Sequence, residues 1–234
     1  MTTLATPPET VDRSRDRLAG RLTGIGGILL VIWAFATIGI AQNPDSSGRN
    51  PAGAIRQWFE QHGVHYVRIL AAFEGLGEIF MMLVFAGLIW HVFRLDRRGM
   101  LPWVVVLGAI QFCTMADSGY AAFYSFGWSA GMFHGFTVDP NAYEVATGTQ
   151  FASLAYAQMG LGVALAAAAV IFLRSQIGAR WLQYLGIVVG LSGLLLPAMS
   201  GFFGYFVVTN ILRFCWLLGV SVLALRGRLT DIRS

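Results

Sequence analysis

Charged residues are scarce in this chain, and lysine is absent. The 234 residues include 16 arginines and 12 acidic residues, so only 12% of the chain is charged. That share is about half of what an ordinary soluble domain carries. Hydrophobic residues make up 56% of the sequence, and the mean hydropathy is +0.63. The composition therefore excludes an ordinary soluble domain and indicates an integral membrane protein.

The sequence also lacks the short motifs that carry common chemistries. Cys113 and Cys215 both fall in apolar runs, so neither a secreted disulfide framework nor a CxxC metal or redox motif is available. No GK[ST] phosphate loop and no HExxH motif is present. No histidine lies at the middle of a span to ligate haem, and the arginines do not alternate with aromatic residues as in a nucleic-acid groove. We therefore expect no enzymatic activity, no cofactor and no nucleic-acid partner.

Six stretches are long and apolar enough to cross a bilayer, which requires about 20 residues. The sequence predicts an all-α, polytopic transmembrane bundle whose spans run approximately over 22–42, 67–92, 101–125, 151–173, 181–199 and 203–225. Around them we predict a disordered tail at 1–20, a transmembrane domain at 21–226 with outer loops at 43–66 and 126–150, and a second tail at 227–234. The first span is longer than a signal-peptide core, which favours a retained anchor. Cleavage after it would leave five spans.

The arginines predict the orientation of these spans. Twelve of the 16 lie in the two tails and in the linkers that follow the second and fourth spans. Arginine-rich segments near span ends remain in the cytoplasm. Trp90, Trp103 and Trp181 fall at the same predicted interface, where indole rings prefer to lie. Both termini are therefore predicted to be cytoplasmic.

Two carboxylates interrupt the second apolar run. Glu74 and Glu78 are four residues apart, which places them on one stripe of a helix. Asp117 and Arg213 lie at a similar depth in two other spans, counted from the arginine-rich ends at about 1.5 Å per residue. Charges inside a membrane normally face the protein interior with a partner. We predict a buried polar cluster in the outer half of the membrane, made of Glu74, Glu78, Asp117, Asn210 and Arg213, in which one acid pairs with Arg213.

The predicted cluster has two interpretations. Three acids share one arginine, so at least one carboxyl is expected to be protonated. Protonatable carboxyls inside a bundle serve proton relays and coupled transporters, which favours a small proton-responsive transporter or conduit. The same network would also fix the register of the helices. In that case the chain is a non-catalytic accessory or scaffold protein that binds another protein, a lipid or a second copy of itself. The sequence indicates neither a substrate nor an oligomeric state.

The two predicted outer loops carry the remaining candidates. His62, His65 and His134 would form a zinc or copper site if the loops brought them together. The "HGVH" spacing crosses a glycine, so we favour interfacial histidines over a metal site. In the first loop, Asn50 is predicted to cap a short surface helix that has Pro51 at its first position.

Three segments are similar to those of a known group of proteins. They are the arginine-rich start leading into "RLTGIGGILLVIWAF", the first outer loop, and the second span with its end "GLIWHVFRLDRRG". In this layout the chain resembles a group of actinobacterial membrane proteins of unknown function. The resemblance implies a six-helix, multi-pass protein of the bacterial plasma membrane. It implies no activity, cofactor or site residue.

Overall fold

The computed structural model describes residues 9–40, 50–133, 137–199 and 203–229. These residues form six helices and no strand: α1 (Glu9–Ile40), α2 (Pro51–Leu95), α3 (Leu101–Met132), α4 (Pro140–Arg174), α5 (Arg180–Leu194) and α6 (Phe203–Leu225). Every helix except α5 contains a stretch that is long and apolar enough to cross a membrane. The predicted all-α class is confirmed, and the five long apolar helices indicate a membrane protein. With 15 residues, α5 is shorter than the usual span of about 20.

Consecutive helices run antiparallel, and glycines set their closest contacts. A Cβ atom added to Gly108 of α3 would lie 2.6 Å from the carbonyl oxygen of Gly160 on α4. Gly162 of α4 packs in the same way against the carbonyl oxygen of Gly190 on α5. A residue without a side chain lets two helix backbones approach closely in lipid. These contacts hold α3, α4 and α5 together as a compact half of the bundle.

The first and last helices close the bundle at one end. Gly20 of α1 lies against Ala224 of α6, and Gly24 lies against the neighbouring Leu225. This end also holds the linker between α2 and α3 and the turn between α4 and α5, and it is called the arginine-rich end below. Its core contains large side chains that are fully buried, among them Leu88, Leu165, Phe172, Trp216 and Leu217.

The outer segment at 43–66 differs from the prediction. α2 begins at Pro51 and continues without a break to Leu95, so residues 51–66 are the first third of a 45-residue helix. They are neither a loop nor a separate surface helix. The predicted cap is confirmed, because the side chain of Asn50 accepts a hydrogen bond from the Gly53 amide at 3.0 Å. The remainder, residues 43–49, lies outside the described part of the chain.

The predicted outer loop at 126–150 is largely helical as well. α3 continues to Met132 and α4 begins at Pro140, where the Asp139 side chain caps the helix by accepting from the amide of Asn141 at 3.0 Å. The physical reason is a second apolar core at this end, which gives the helix extensions something to pack against. It contains Ile55, Trp58, Phe59, Val67, Leu70, Phe123, Tyr124, Phe126 and Tyr143. The rings of Phe59 and Tyr143, for example, meet edge to face at 5.3 Å.

The predicted disordered tail at 1–20 is helical from Glu9 onwards. Asp16 is only 7% exposed, accepts a hydrogen bond from Trp90 Nε1 at 3.0 Å and forms an ion pair with Arg94. This polar contact to α2 gives the tail a partner, which the sequence pattern did not indicate. In the second tail, Leu229 is buried. Residues 1–8 and 230–234 lie outside the described part of the chain.

Candidate functional site

A cavity of about 400 Å³ lies among α1, α2, α3, α4 and α6. Most of its wall is apolar. Its polar wall residues come from all five helices and are Thr37, Glu74, Glu78, Tyr120, Gln158, Asn210 and Arg213. Four of the five residues in the predicted cluster therefore line one cavity, two of them on α2 and two on α6. The fifth, Asp117, is not part of its lining.

The acidic wall of the cavity belongs to α2. Glu74 and Glu78 lie one helical turn apart, with Gly77 between them packed against the ring of Trp33 on α1. The indole Nε1 of Trp33 donates to the carbonyl oxygen of Phe73 at 2.8 Å, which holds α1 against this turn. Both carboxyls are thus fixed on the face of α2 that looks into the cavity.

Each of these two acids has a partner on α3. The Tyr120 hydroxyl lies within hydrogen-bonding reach of the Glu74 carboxylate. Glu78 and Asp117 lie within hydrogen-bonding reach of each other. One oxygen of Glu78, Oε1, is buried and has no hydrogen-bond partner among the described residues. Two ionised carboxylates only accept hydrogen bonds, so a bond between Glu78 and Asp117 requires a proton on one of them.

The side chain of Asp117 approaches Glu78 from outside the cavity. Its side chain is exposed on the surface of α3, beside the exposed Thr114 and Ser118. Ser118 donates to the Thr114 carbonyl oxygen at 2.8 Å, so that hydroxyl is satisfied within its own helix. Asp117 therefore lies between the exposed surface of α3 and Glu78 on the cavity wall.

The basic wall of the cavity belongs to α6. Arg213 is only 1% exposed, and its two terminal nitrogens donate to Gln158 of α4, one to the side-chain oxygen and one to the carbonyl oxygen at 3.0 Å. The remaining donor, Nε, has no hydrogen-bond partner in the part of the chain that the structure describes. Gly193 of α5 lies directly against the guanidinium, where any side chain would displace it. Asn210 lies one turn away and donates to the Phe206 carbonyl oxygen at 2.9 Å.

The predicted pairing of Arg213 with an acid is wrong for the described residues. The ion pair that those residues do form joins Arg94 to Asp16, far from the cavity. Gln158 occupies the terminal nitrogens of Arg213, while Asp117 is turned towards Glu78. The structure thus brings Glu74, Glu78, Asn210 and Arg213 around one cavity without joining the opposite charges.

The histidines of the outer segments do not meet in the described residues. His62 stacks on Trp58 with ring centroids 4.7 Å apart, and its Nδ1 lies 3.0 Å from the Trp58 carbonyl oxygen. His65 is exposed, and His134 lies outside the described part of the chain. Within the part that the structure describes, no three His, Cys, Asp or Glu side chains are grouped to hold a metal.

Gln158 is the site residue that sequence reasoning missed. It is the one amide in the middle of the apolar stretch "LAYAQMGLGVALAAAAV" of α4, and a lone amide there would need a partner in a membrane. The sequence therefore contained a signal that Gln158 is buried against a polar partner. The partner, Arg213, follows only from the packing of α4 against α5 and α6. Comparison of the chain with protein-family models, curated proteins and solved structures found no match.

Proposed function

We propose that the chain is a proton-responsive transporter or conduit of the bacterial plasma membrane, with six spans and both termini in the cytoplasm. The observation that carries this proposal is the position of the Glu78 carboxyl, which lies beside Asp117 and borders a cavity that Arg213 also lines. The resemblance to actinobacterial membrane proteins remains a prediction, since no family model matches.

We propose that α5, together with the turn that follows it, forms the additional span that brings the number of crossings to six. Tyr205 of α6 donates to the Ser192 carbonyl oxygen at 2.7 Å, and Gly193 packs against the Gln158 carbonyl oxygen of α4. These contacts place α5 alongside two long apolar helices. At about 1.5 Å per residue, its 15 residues cover roughly 22 Å, and the turn at 195–199 extends that length. This supports a full crossing, which keeps the two termini on one side.

In the proposed mechanism, proton binding changes the charge of the cavity wall. The titratable groups that face Glu78 are Glu74 on its own helix, Cys113, Asp117, Tyr120 and Tyr124 on α3, and Arg213 across the cavity on α6. With Glu78 and Asp117 both ionised, the two like charges repel each other. One proton between them removes the repulsion and makes the cavity wall, which Glu74 and Arg213 also line, less negative. A solute bound there would therefore respond to pH.

Proton flux into proteoliposomes under an imposed pH gradient tests this function. The comparison is between the wild type, Glu78→Gln and the control Glu144→Gln, which changes an exposed acid of α4 outside the cavity. We expect flux in the wild type and in Glu144→Gln, and a loss of flux in Glu78→Gln with an unchanged unfolding temperature. Flux that persists in Glu78→Gln would contradict the proposal.

An accessory or scaffold role is the second candidate, and the dense helix contacts favour it. The glycine contacts between α3 and α4 and between α4 and α5, and the bond of Arg213 to Gln158, would serve rigidity alone. The same experiment separates the two. Absence of flux in every variant, together with a large loss of stability in Glu78→Gln, would assign Glu78 to holding helices α2 and α3 together.

A further inference from the structure

Arg213 is a buried cation whose hydrogen-bond partner is neutral. An arginine keeps its charge in a protein, and buried charges are normally paired with an opposite charge. Here the guanidinium is 1% exposed and bonded to an amide side chain and a carbonyl oxygen, while its Nε has no partner among the residues at 9–40, 50–133, 137–199 and 203–229. Gln158 therefore positions the group without neutralising it. The arrangement suits an oxyanion, which guanidinium binds by parallel hydrogen bonds.

The cavity around Arg213 is otherwise mainly apolar. Its volume of about 400 Å³ lies within the usual range of small-molecule sites, which is roughly 300–1,000 Å³. Besides the polar residues already described, its wall includes Leu30, Met81, Phe112, Leu161, Phe214 and Leu217. Such a cavity would bury a hydrocarbon chain well and would bury a small hydrophilic anion poorly. The ligand that fits has one anionic head and one apolar chain.

The wall of this cavity reaches the outer surface of the bundle at α1 and α6. These helices touch near the arginine-rich end, where Gly27 of α1 packs against Ser221 of α6. The cavity lies further along both helices, and two of its wall residues, Phe35 of α1 and Ile211 of α6, are 63% and 50% exposed. Both are apolar and belong to the membrane-facing surface. An amphiphile dissolved in the bilayer can therefore enter sideways.

We propose that the cavity binds a single-chain amphipathic anion, with its carboxylate or phosphate head on Arg213 and its chain leading out between α1 and α6. This inference rests on the proposed function in one respect, because it names the substrate class of that transporter. Glu74 and Glu78 line the same cavity, so an anion binds there more tightly when those carboxyls are neutral. Binding of the anion and binding of the proton would thereby be coupled.

Equilibrium binding of radiolabelled dodecanoate to the protein in phosphatidylcholine nanodiscs tests the proposal. Empty nanodiscs give the background from partition into lipid. We expect saturable binding of one dodecanoate per chain, weakened roughly tenfold or more in Arg213→Gln, since a hydrogen bond to a charged group is lost. Arg213→Lys should retain part of the affinity. Dodecyl phosphate should compete if the head-group site accepts any oxyanion, and a preference for one of the two identifies the head group.

Two further comparisons guard against a variant that simply fails to fold. Ala34→Phe fills the cavity from α1 without touching Arg213, whereas Ala72→Phe places the same ring at an exposed position of α2. The first should abolish dodecanoate binding and the second should preserve it. Competition by neutral dodecanol as strong as that by the anion, or unchanged binding in a folded Arg213→Gln, would overturn the proposal.

The binding test is independent of proton transport. It is performed at one pH and without a gradient. Saturable binding in a protein that carries no proton flux would therefore support the anion site and contradict the transport function. Flux without dodecanoate or dodecyl phosphate binding would have the opposite meaning. The anion site would then be wrong, while the role of Glu78 in proton transport would remain.

Discussion

At the scale of single residues, Gln158 does what an acid was expected to do. It holds the guanidinium of Arg213 through two hydrogen bonds and leaves the charge in place. The sequence predicted that Arg213 would be buried and would share a site with Glu74 and Glu78, because charges at one depth in a membrane turn inwards. It did not predict the partner, since depth says nothing about which helices are neighbours. Neighbour choice depends on tertiary packing.

Replacing Gln158 with leucine tests this residue-scale interpretation. Gln158→Leu leaves the buried donors of Arg213 without their side-chain acceptor, and we expect the free energy of unfolding to fall by about 1–3 kcal/mol. The control is Gln111→Leu, because the amide of Gln111 makes only a long bond of 3.4 Å to Tyr156 at an exposed site. Reversible unfolding in mixed micelles measures both. Equal stability of the two variants would contradict the role of Gln158.

At the scale of helices, the ends at the arginine-rich end of the bundle were easier to predict than the ends opposite. The arginine-rich linkers mark where α2 and α4 stop, and the predicted ends at 92 and 173 lie close to the observed Leu95 and Arg174. No such signal marks the other end. There α2, α3 and α4 continue past the apolar stretch because aromatic side chains such as Trp58 and Tyr143 pack between them. A hydropathy profile detects the bilayer-spanning part of a helix but does not detect such an extension.

The start of α1 gives a prediction about a helix end. Asp16 joins α1 to Trp90 and Arg94 of α2, so Asp16→Ala should loosen the first turns of α1. We expect faster amide hydrogen exchange over residues 9–20 in this variant and unchanged exchange in the core of α4. Arg17→Ala, at an exposed position in the same turn, serves as the control. Exchange that rises equally in both variants would show that the contact to α2 does not order this segment.

Helix packing between α3 and α4 can be tested with glycines. Gly108→Ala places a Cβ atom 2.6 Å from the Gly160 carbonyl oxygen, so the helices must move apart. We expect a loss of about 1–3 kcal/mol of stability, as overpacking usually costs. The control is Gly75→Ala, whose Cβ would meet no atom within 4 Å. A Gly108→Ala protein as stable as Gly75→Ala would mean that α3 and α4 are further apart than described.

At the scale of the whole molecule, the length of α5 decides whether the chain crosses the membrane five or six times. Six crossings place both termini on one side of the membrane, while five place them on opposite sides. We expect reporters fused to either end of the chain to be active in the cytoplasm, in agreement with the arginine distribution. An externally exposed reporter at one terminus alone would show that α5 does not cross.

The proposed proton site on α2 and α3 and the proposed anion site on α6 border one cavity. The sequence predicted the membrane class and most members of this site, because charges stand out in an apolar chain. The cavity itself, with its apolar wall, was not visible in the sequence. It arises from the packing of α1, α2, α3, α4 and α6 around one space.

The central claim is that Glu78 exchanges a proton inside the membrane. The most direct measurement is pH-difference infrared spectroscopy of the protein in lipid, comparing the wild type with Glu78→Gln and with Glu144→Gln. The account predicts a protonated-carboxyl absorption that changes with pH in the wild type and in Glu144→Gln and is lost in Glu78→Gln. A pH-dependent absorption that is unchanged in Glu78→Gln, or a wild type without one, would contradict it.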